Sequence, residues 1–142
     1  MNAEEWGEAI RSALTADGKI VPARVRPMLV VVESPYAGDV EKNVAYARAA
    51  MRDSLQRGEY PIASHLLYTQ PGILDDHNLE ERKLGIEAGL AWAKHAELTV
   101  VYIDLGISRG MHAAIARSEA EHRPIEVRRI EGWGEHGAAG PR

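Results

Sequence analysis

Cysteine is absent from the chain. Its absence excludes disulfides, thiolate nucleophiles and Cys-ligated zinc or iron–sulfur centres. Phenylalanine is absent too, and nothing physical in the sequence explains why. No apolar run approaches the roughly 20 residues that a membrane-spanning helix needs. Basic charge is in deficit: 17 Lys and Arg stand against 21 Asp and Glu, a formal net charge of -4. A protein that coats nucleic acid needs a net basic field, so extended nucleic-acid binding is not expected, although a local basic pocket stays open. The amino-terminal stretch MNAEEWGEAIRSAL is acidic and amphipathic, unlike a secretory signal. The expectation is a soluble, cytoplasmic protein with no membrane partner.

What remains is the composition of one ordinary domain: 142 residues, 45% hydrophobic and 27% charged, enough for a proper core. Asn2 and Glu5 have capping-box spacing, and Trp6, Ile10 and Leu14 define an apolar stripe. These predict a short helix ended by Asp17-Gly18, with Lys19 to Pro27 as an extended connector. Leu29-Val30-Val31-Val32 is a continuous apolar run, the pattern of a strand buried on both faces. After a loop, Asp39 caps a helix whose apolar positions are Val40, Val44, Ala47, Met51 and Leu55. A strand is predicted at about Tyr60 to Leu67, then a helix opened by Asn78 and Glu81 and running to about Ala96. Leu98 to Ile103 reads as a strand, Ser108 as a cap for a further helix, and Pro124 to Ile130 as the last strand. The glycine-rich segment from Glu131 to Arg142 reads as a flexible tail.

Strands alternating with helices predict a parallel α/β sheet with helices on both faces, a three-layer sandwich. Such sheets take ligands at the carboxyl ends of their strands, near the point where strand order reverses. Three loops are selected: Ser34 to Asp39, His65 to Asp76, and Asp104 to Met111. The first and third lead into helices, whose free N–H groups favour an anion. Ser108, Arg109 and Gly110 together suit a phosphate or carboxylate; equally, Ser108 is a plain cap and Arg109 a solvated charge. Tyr36 can stack on a base or serve as a packing lid, and Gly38 lets a ligand approach the main chain. Asn43, one turn into the following helix, faces either the site or solvent. His65 reaches the pocket or is structural, and Met111 follows Gly110 in the same loop. The six histidines lack metal-ligand spacing, and no Walker, GxGxxG or GxSxG pattern is present. No cofactor or metal is therefore expected. Glu33, Asp75, Asp76, Glu81, Glu87 and Asp104 are the carboxylates near these loops.

The run Val32-Glu33-Ser34-Pro35-Tyr36-Ala37-Gly38-Asp39-Val40-Glu41-Lys42-Asn43-Val44 resembles small bacterial and phage domains related to nucleoside 2-deoxyribosyltransferases. Pro61 to Tyr68, Leu74-Asp75-Asp76, Glu81 to Gly89 and Ile107 to Met111 match in order and spacing, so the resemblance spans Leu29 to Ile130. It implies a flavodoxin-like sheet, of four to five strands here, and an activity that cleaves or exchanges the N-glycosidic bond of a nucleoside or nucleotide. A carboxylate near the anomeric carbon serves that chemistry. In the superfamily it stands four residues after the glycine of the final loop. Here that glycine is Gly110, and the position is Ala114. Glu87, in a Glu-x-Gly-x-Ala stretch, and Asp104, ending a buried strand, are the substitutes the sequence offers. The resemblance further places Ser34, Tyr36, Gly38 and Asn43 at base and sugar, and Ser108, Arg109 and Gly110 at a phosphate. It implies a homo-oligomer. The alternative is a non-catalytic sensor or sequestering protein for a nucleotide-derived ligand.

Overall fold

Strand β1, Leu29–Glu33, is the axis of the molecule. Its β-branched side chains alternate between two covered faces, as a central parallel strand requires. The computed structural model describes residues 2–12 and 26–134. Beyond β1 run α2 (Val40–Gln56), β2 (Tyr60–Ile62), a 3-10 turn (Ser64–Leu66), α3 (Leu79–Ala93), β3 (Leu98–Tyr102), α4 (Arg109–Ala120) and β4 (Ile125–Arg128). All pairings are parallel, and the strand order is β2-β1-β3-β4. This is a Rossmann-like, flavodoxin-like α/β sheet of four strands. The chain leaves β1 in one direction for β2 and returns on its other side as β3. The reversal of order thus lies between β1 and β3.

One face of the sheet carries Val30, Val32, Val100 and Tyr102, packed with Tyr46 and Ala50 of α2 in the main core. The helix buries Asn43, Tyr46, Ala47, Ala50 and Ser54, a set that shares only Ala47 with the stripe expected from apolar spacing, although Met51 also packs against the core. Val40 and Leu55 of that stripe are exposed. The polar members of the buried face are satisfied. Asn43 donates to the carbonyls of Tyr36 and Ala37 at 2.8 and 3.1 Å, and Ser54 donates to Glu59 at 2.7 Å.

Caps hold where the sequence puts them. Asp39, Asn78 and Ser108 each accept main-chain N–H groups of the helix they precede, satisfying donors that have no intrahelical partner. Helix α1 (Ala3–Ser12) opens on a reciprocal box between Asn2 and Glu5, with bonds of 2.6 and 2.8 Å. The rest of its expected stripe and the connector to residue 25 lie outside the described residues. The strand expected to reach Leu67 ends at Ile62, because the chain turns into the 3-10 segment. Of the expected tail, residues 131–134 form a turn, and Trp133 meets the Tyr46 ring edge-on at 4.8 Å. Residues 135–142 lie outside the described residues.

Candidate functional site

The second face of the sheet carries Val31 and Glu33 of β1, and it is not fully covered. Helices α3 and α4 stand apart over it, leaving a cavity of about 750 Å³. Val31 and Glu33 form part of its lining, Gly85, Ile86, Gly89 and Leu90 line it from α3, and Ala113, Ala114 and Arg117 from α4. Tyr36, His65 and the Ser108-Arg109-Gly110 corner complete it. It therefore opens at the carboxyl ends of β1 and β3, where the strand order reverses, as such sheets favour.

Two glycines shape the α3 wall. A Cβ on Gly89 would lie 2.9 Å from the Ser64 Cβ, and one on Gly85 would lie 3.3 Å from the Leu74 side chain. Gly89 lets α3 close on the 3-10 turn that carries His65, and Gly85 lets it close on the loop after that turn. The His65 ring stacks on Tyr36, with centroids 5.0 Å apart and planes 25° apart. His65 is hydrogen-bonded to the Ser34 main chain, and burial pushes its pKa below the ordinary value of 6.5. The imidazole is therefore neutral at pH 7. Asp76, Glu81 and Arg82 add charge on the α3 side, with Asp76 3.9 Å from the Arg82 guanidinium.

Glu33 stands among the loop carboxylates of the sequence without an assigned role there, and it lines the cavity. It ends a buried strand, and its carboxyl has no hydrogen bond or ion pair among the described residues. Burial pushes its pKa from 4.5 up to about 7, and the charge of Arg123 only partly opposes this. Arg123 is itself fixed beneath the sheet by Thr99 at 2.8 Å, Ser118 at 3.2 Å and Glu121 at 2.7 Å. The signal in the sequence was alternation. If Val30 and Val32 face α2, Val31 and Glu33 must face the other way.

The structure brings together Tyr36, His65, Ser108, Arg109 and Gly110 of the expected site residues. The others lie apart. Glu87 is exposed on α3, 4.0 Å from Lys83, and does not line the cavity. The Asp104 carboxylate accepts from the Tyr46 hydroxyl at 2.6 Å and the Ile130 N–H at 2.9 Å, on the α2 side of the sheet. Ser34 and Met111 are buried. Gly38 is exposed and takes the left-handed turn at φ 103°. Asn43 holds the loop carrying Tyr36 rather than lining the space. Ala114, where the resemblance leads one to expect a carboxylate, lines the cavity and bears only a methyl group.

Among the described residues no helix is long and apolar enough to cross a membrane. No curated protein sequence matches the chain. The fold is shared with a 2-deoxyribosyltransferase from the psychrotolerant bacterium Bacillus psychrosaccharolyticus, characterised as a biocatalyst for nucleoside synthesis. That likeness has 19% identity and a TM-score of 0.53 over 71% of this chain and 72% of that one. Residues 28–128 match the model of a family described as a domain of unknown function, DUF7768, and the chain belongs to that family.

Proposed function

We propose that the cavity binds a nucleoside or nucleotide and that the protein acts on its N-glycosidic bond, with Glu33 as the acid that protonates the departing base. The observation that carries this reading is the unpartnered carboxyl of Glu33 in the lining of the cavity. A pKa of about 7 suits a general acid at neutral pH, since a useful fraction of it is protonated. As the glycosidic bond breaks, its electrons pass to the base, Glu33 gives the base a proton, and water adds to the sugar carbon, releasing a proton that restores the Glu33 acid. Asp76 and Glu81 are the cavity carboxylates available to offset positive charge on the sugar. Tyr36 and His65 supply an aromatic surface for the base. Arg109 and the first turn of α4 supply donors for a phosphate.

A homo-oligomer belongs to this reading. Helix α3 is apolar toward the cavity and also presents Leu84 and Trp92 outward, 55% and 56% exposed. A helix apolar on both sides calls for a second covering surface. Light scattering that shows only a monomer at working concentrations removes this part.

The test is incubation with a panel of deoxynucleosides and their 5′-monophosphates, with mass-spectrometric detection of free base. Release that scales with protein and disappears in Glu33→Gln is the expected result. Release that survives the substitution removes Glu33 from the reaction. The methyl group of Ala114 favours a second reading, a binder that leaves its ligand intact. Retention of an unaltered nucleotide without base release selects that reading, and gain of release in Ala114→Glu then marks a decayed glycosidase.

A further inference from the structure

Glu33 has two oxygens and no partner for either among the described residues. The side chain is half-buried and lines the cavity, so both oxygens stay available to a ligand that enters it. We propose that Glu33, in its acid form, reads the edge of the bound base and selects one that sets a ring-nitrogen acceptor beside an exocyclic amine, a 6-aminopurine above all. The inference rests on the nucleoside reading of the cavity and adds the identity of the base to it.

A protonated carboxyl offers one O–H donor beside one carbonyl acceptor. The Hoogsteen edge of adenine offers the complement, N7 as acceptor and the N6 amine as donor. Guanine and hypoxanthine carry an oxygen at position 6 and present two acceptors there. Against them the carbonyl of Glu33 meets a lone pair and the contact is repulsive. The O–H to N7 bond is also the path by which the same acid would protonate the leaving base. Selection and proton delivery therefore use one hydrogen bond.

The acid form is available because burial holds the carboxyl neutral up to about pH 7. Once ionised, Glu33 has two acceptors and no donor, and its match with adenine is lost. Other charges face the cavity. Asp76 and Glu81 favour the acid form, Arg82, Arg109 and Arg117 favour the ionised one, as does Arg123 from beneath the lining, and His65 titrates below its ordinary pKa. All of them persist when Glu33 alone is replaced.

The test is isothermal titration of the full chain with adenosine and with inosine, at about pH 5.5 and about pH 8.5, values chosen to bracket the Glu33 transition. Adenosine is expected to bind about tenfold or more tightly than inosine at the lower pH, the scale of one bidentate base contact. That preference is expected to collapse at the higher pH. Glu33→Gln is the discriminating variant, because an amide places a donor and an acceptor side by side at every pH. It should keep the adenosine preference and lose its pH dependence, whereas Glu33→Ala should lose the preference altogether. Equal affinity for the two nucleosides, or a pH dependence unchanged in Glu33→Gln, overturns the base assignment and leaves the nucleoside site standing. Binding of neither nucleoside nor their monophosphates overturns both readings.

Discussion

A carboxyl group partly desolvated in a cavity wall, with no hydrogen-bond partner among the described residues, works against the fold, and the pH dependence of stability should record it. Glu33 has an ordinary value of 4.5 and a folded value of about 7. Between those values the native state keeps a proton that the unfolded chain releases, so stability falls as pH rises through the window. The favourable contribution is complete below about 4.5 and gone above about 7. Glu33→Gln removes this limb, and thermal melts should find the variant ~2–3 kcal/mol more stable than wild type at about pH 8. Wild-type and variant curves that stay parallel from acid to alkaline pH would remove the buried acid from the account. Asp104 is the opposite case, a carboxylate whose Oδ2 accepts two hydrogen bonds within the protein. It joins α2 to the loop after β3 through Tyr46 and to the carboxyl-terminal turn through Ile130. Burial, then the bond to Asp104, raises the Tyr46 pKa well above its usual range, so the phenol stays a donor. Asp104→Ala should cost about 1–3 kcal/mol of stability with nucleoside affinity retained. Lost affinity at unchanged stability would return Asp104 to the ligand.

Secondary elements were largely legible in this sequence, and their faces less so. The helices from α2 to α4 announced themselves by capping residues and the strands by apolar runs, β2 overrun into the 3-10 turn, and the parallel alternation followed. Helix α2 shows the limit. Its apolar spacing pointed to Val40, Val44, Ala47, Met51 and Leu55, yet the buried side is Asn43, Tyr46, Ala47, Ala50 and Ser54. The partners that make Asn43, Tyr46 and Ser54 tolerable inside are carbonyls and carboxylates in other segments, and local spacing carries no sign of them. The same limit applies at the cavity, which Glu33 lines and Glu87 does not, since a motif reads along the chain while a cavity forms across it. Helix α3 offers a test of this cross-chain geometry. Gly89 costs roughly 1 kcal/mol in helix propensity relative to alanine, but a methyl group there would sit 2.9 Å from the Ser64 Cβ. The clash should outweigh the propensity, so Gly89→Ala should lower stability by about 1–2 kcal/mol net and weaken ligand binding by displacing the His65 turn. At Gly85 the obstacle is the flexible end of Leu74, and Gly85→Ala should cost less. If Gly89→Ala is the more stable of the two, the close approach of α3 to the turn is not what shapes the cavity.

At the scale of the whole molecule, the two faces of the sheet divide the labour. The face under α2 is filled and cross-linked, while the face under α3 and α4 is left open around Glu33. The filled side extends to both edges of the sheet. Arg128 of the edge strand β4 makes two 2.7 Å bonds to Glu59, which immediately precedes the other edge strand, β2. The Tyr102 hydroxyl donates to Asp53 at 2.6 Å and accepts from Arg128 at 3.4 Å, so the pair sits within a network reaching α2. Both side chains are largely buried, at 4% and 14% exposure, so removing one leaves the other inadequately matched. The Arg128 guanidinium holds the Glu59 carboxyl below its usual 4.5. The sign is therefore opposite to that of Glu33. Stability from Glu59 is present above about pH 4.5 and is lost as pH falls through its lowered folded value. Wild-type stability should thus decline on both sides of a mildly acidic optimum, through Glu59 toward acid and through Glu33 toward neutral pH. Glu59→Gln should cost about 2–4 kcal/mol at neutral pH, flatten the acid limb and leave the neutral limb intact. Denaturant unfolding across pH would show this directly. An acid limb of unchanged slope in Glu59→Gln would mean that other carboxylates, not the tie between the edge strands, set the acid stability of the fold.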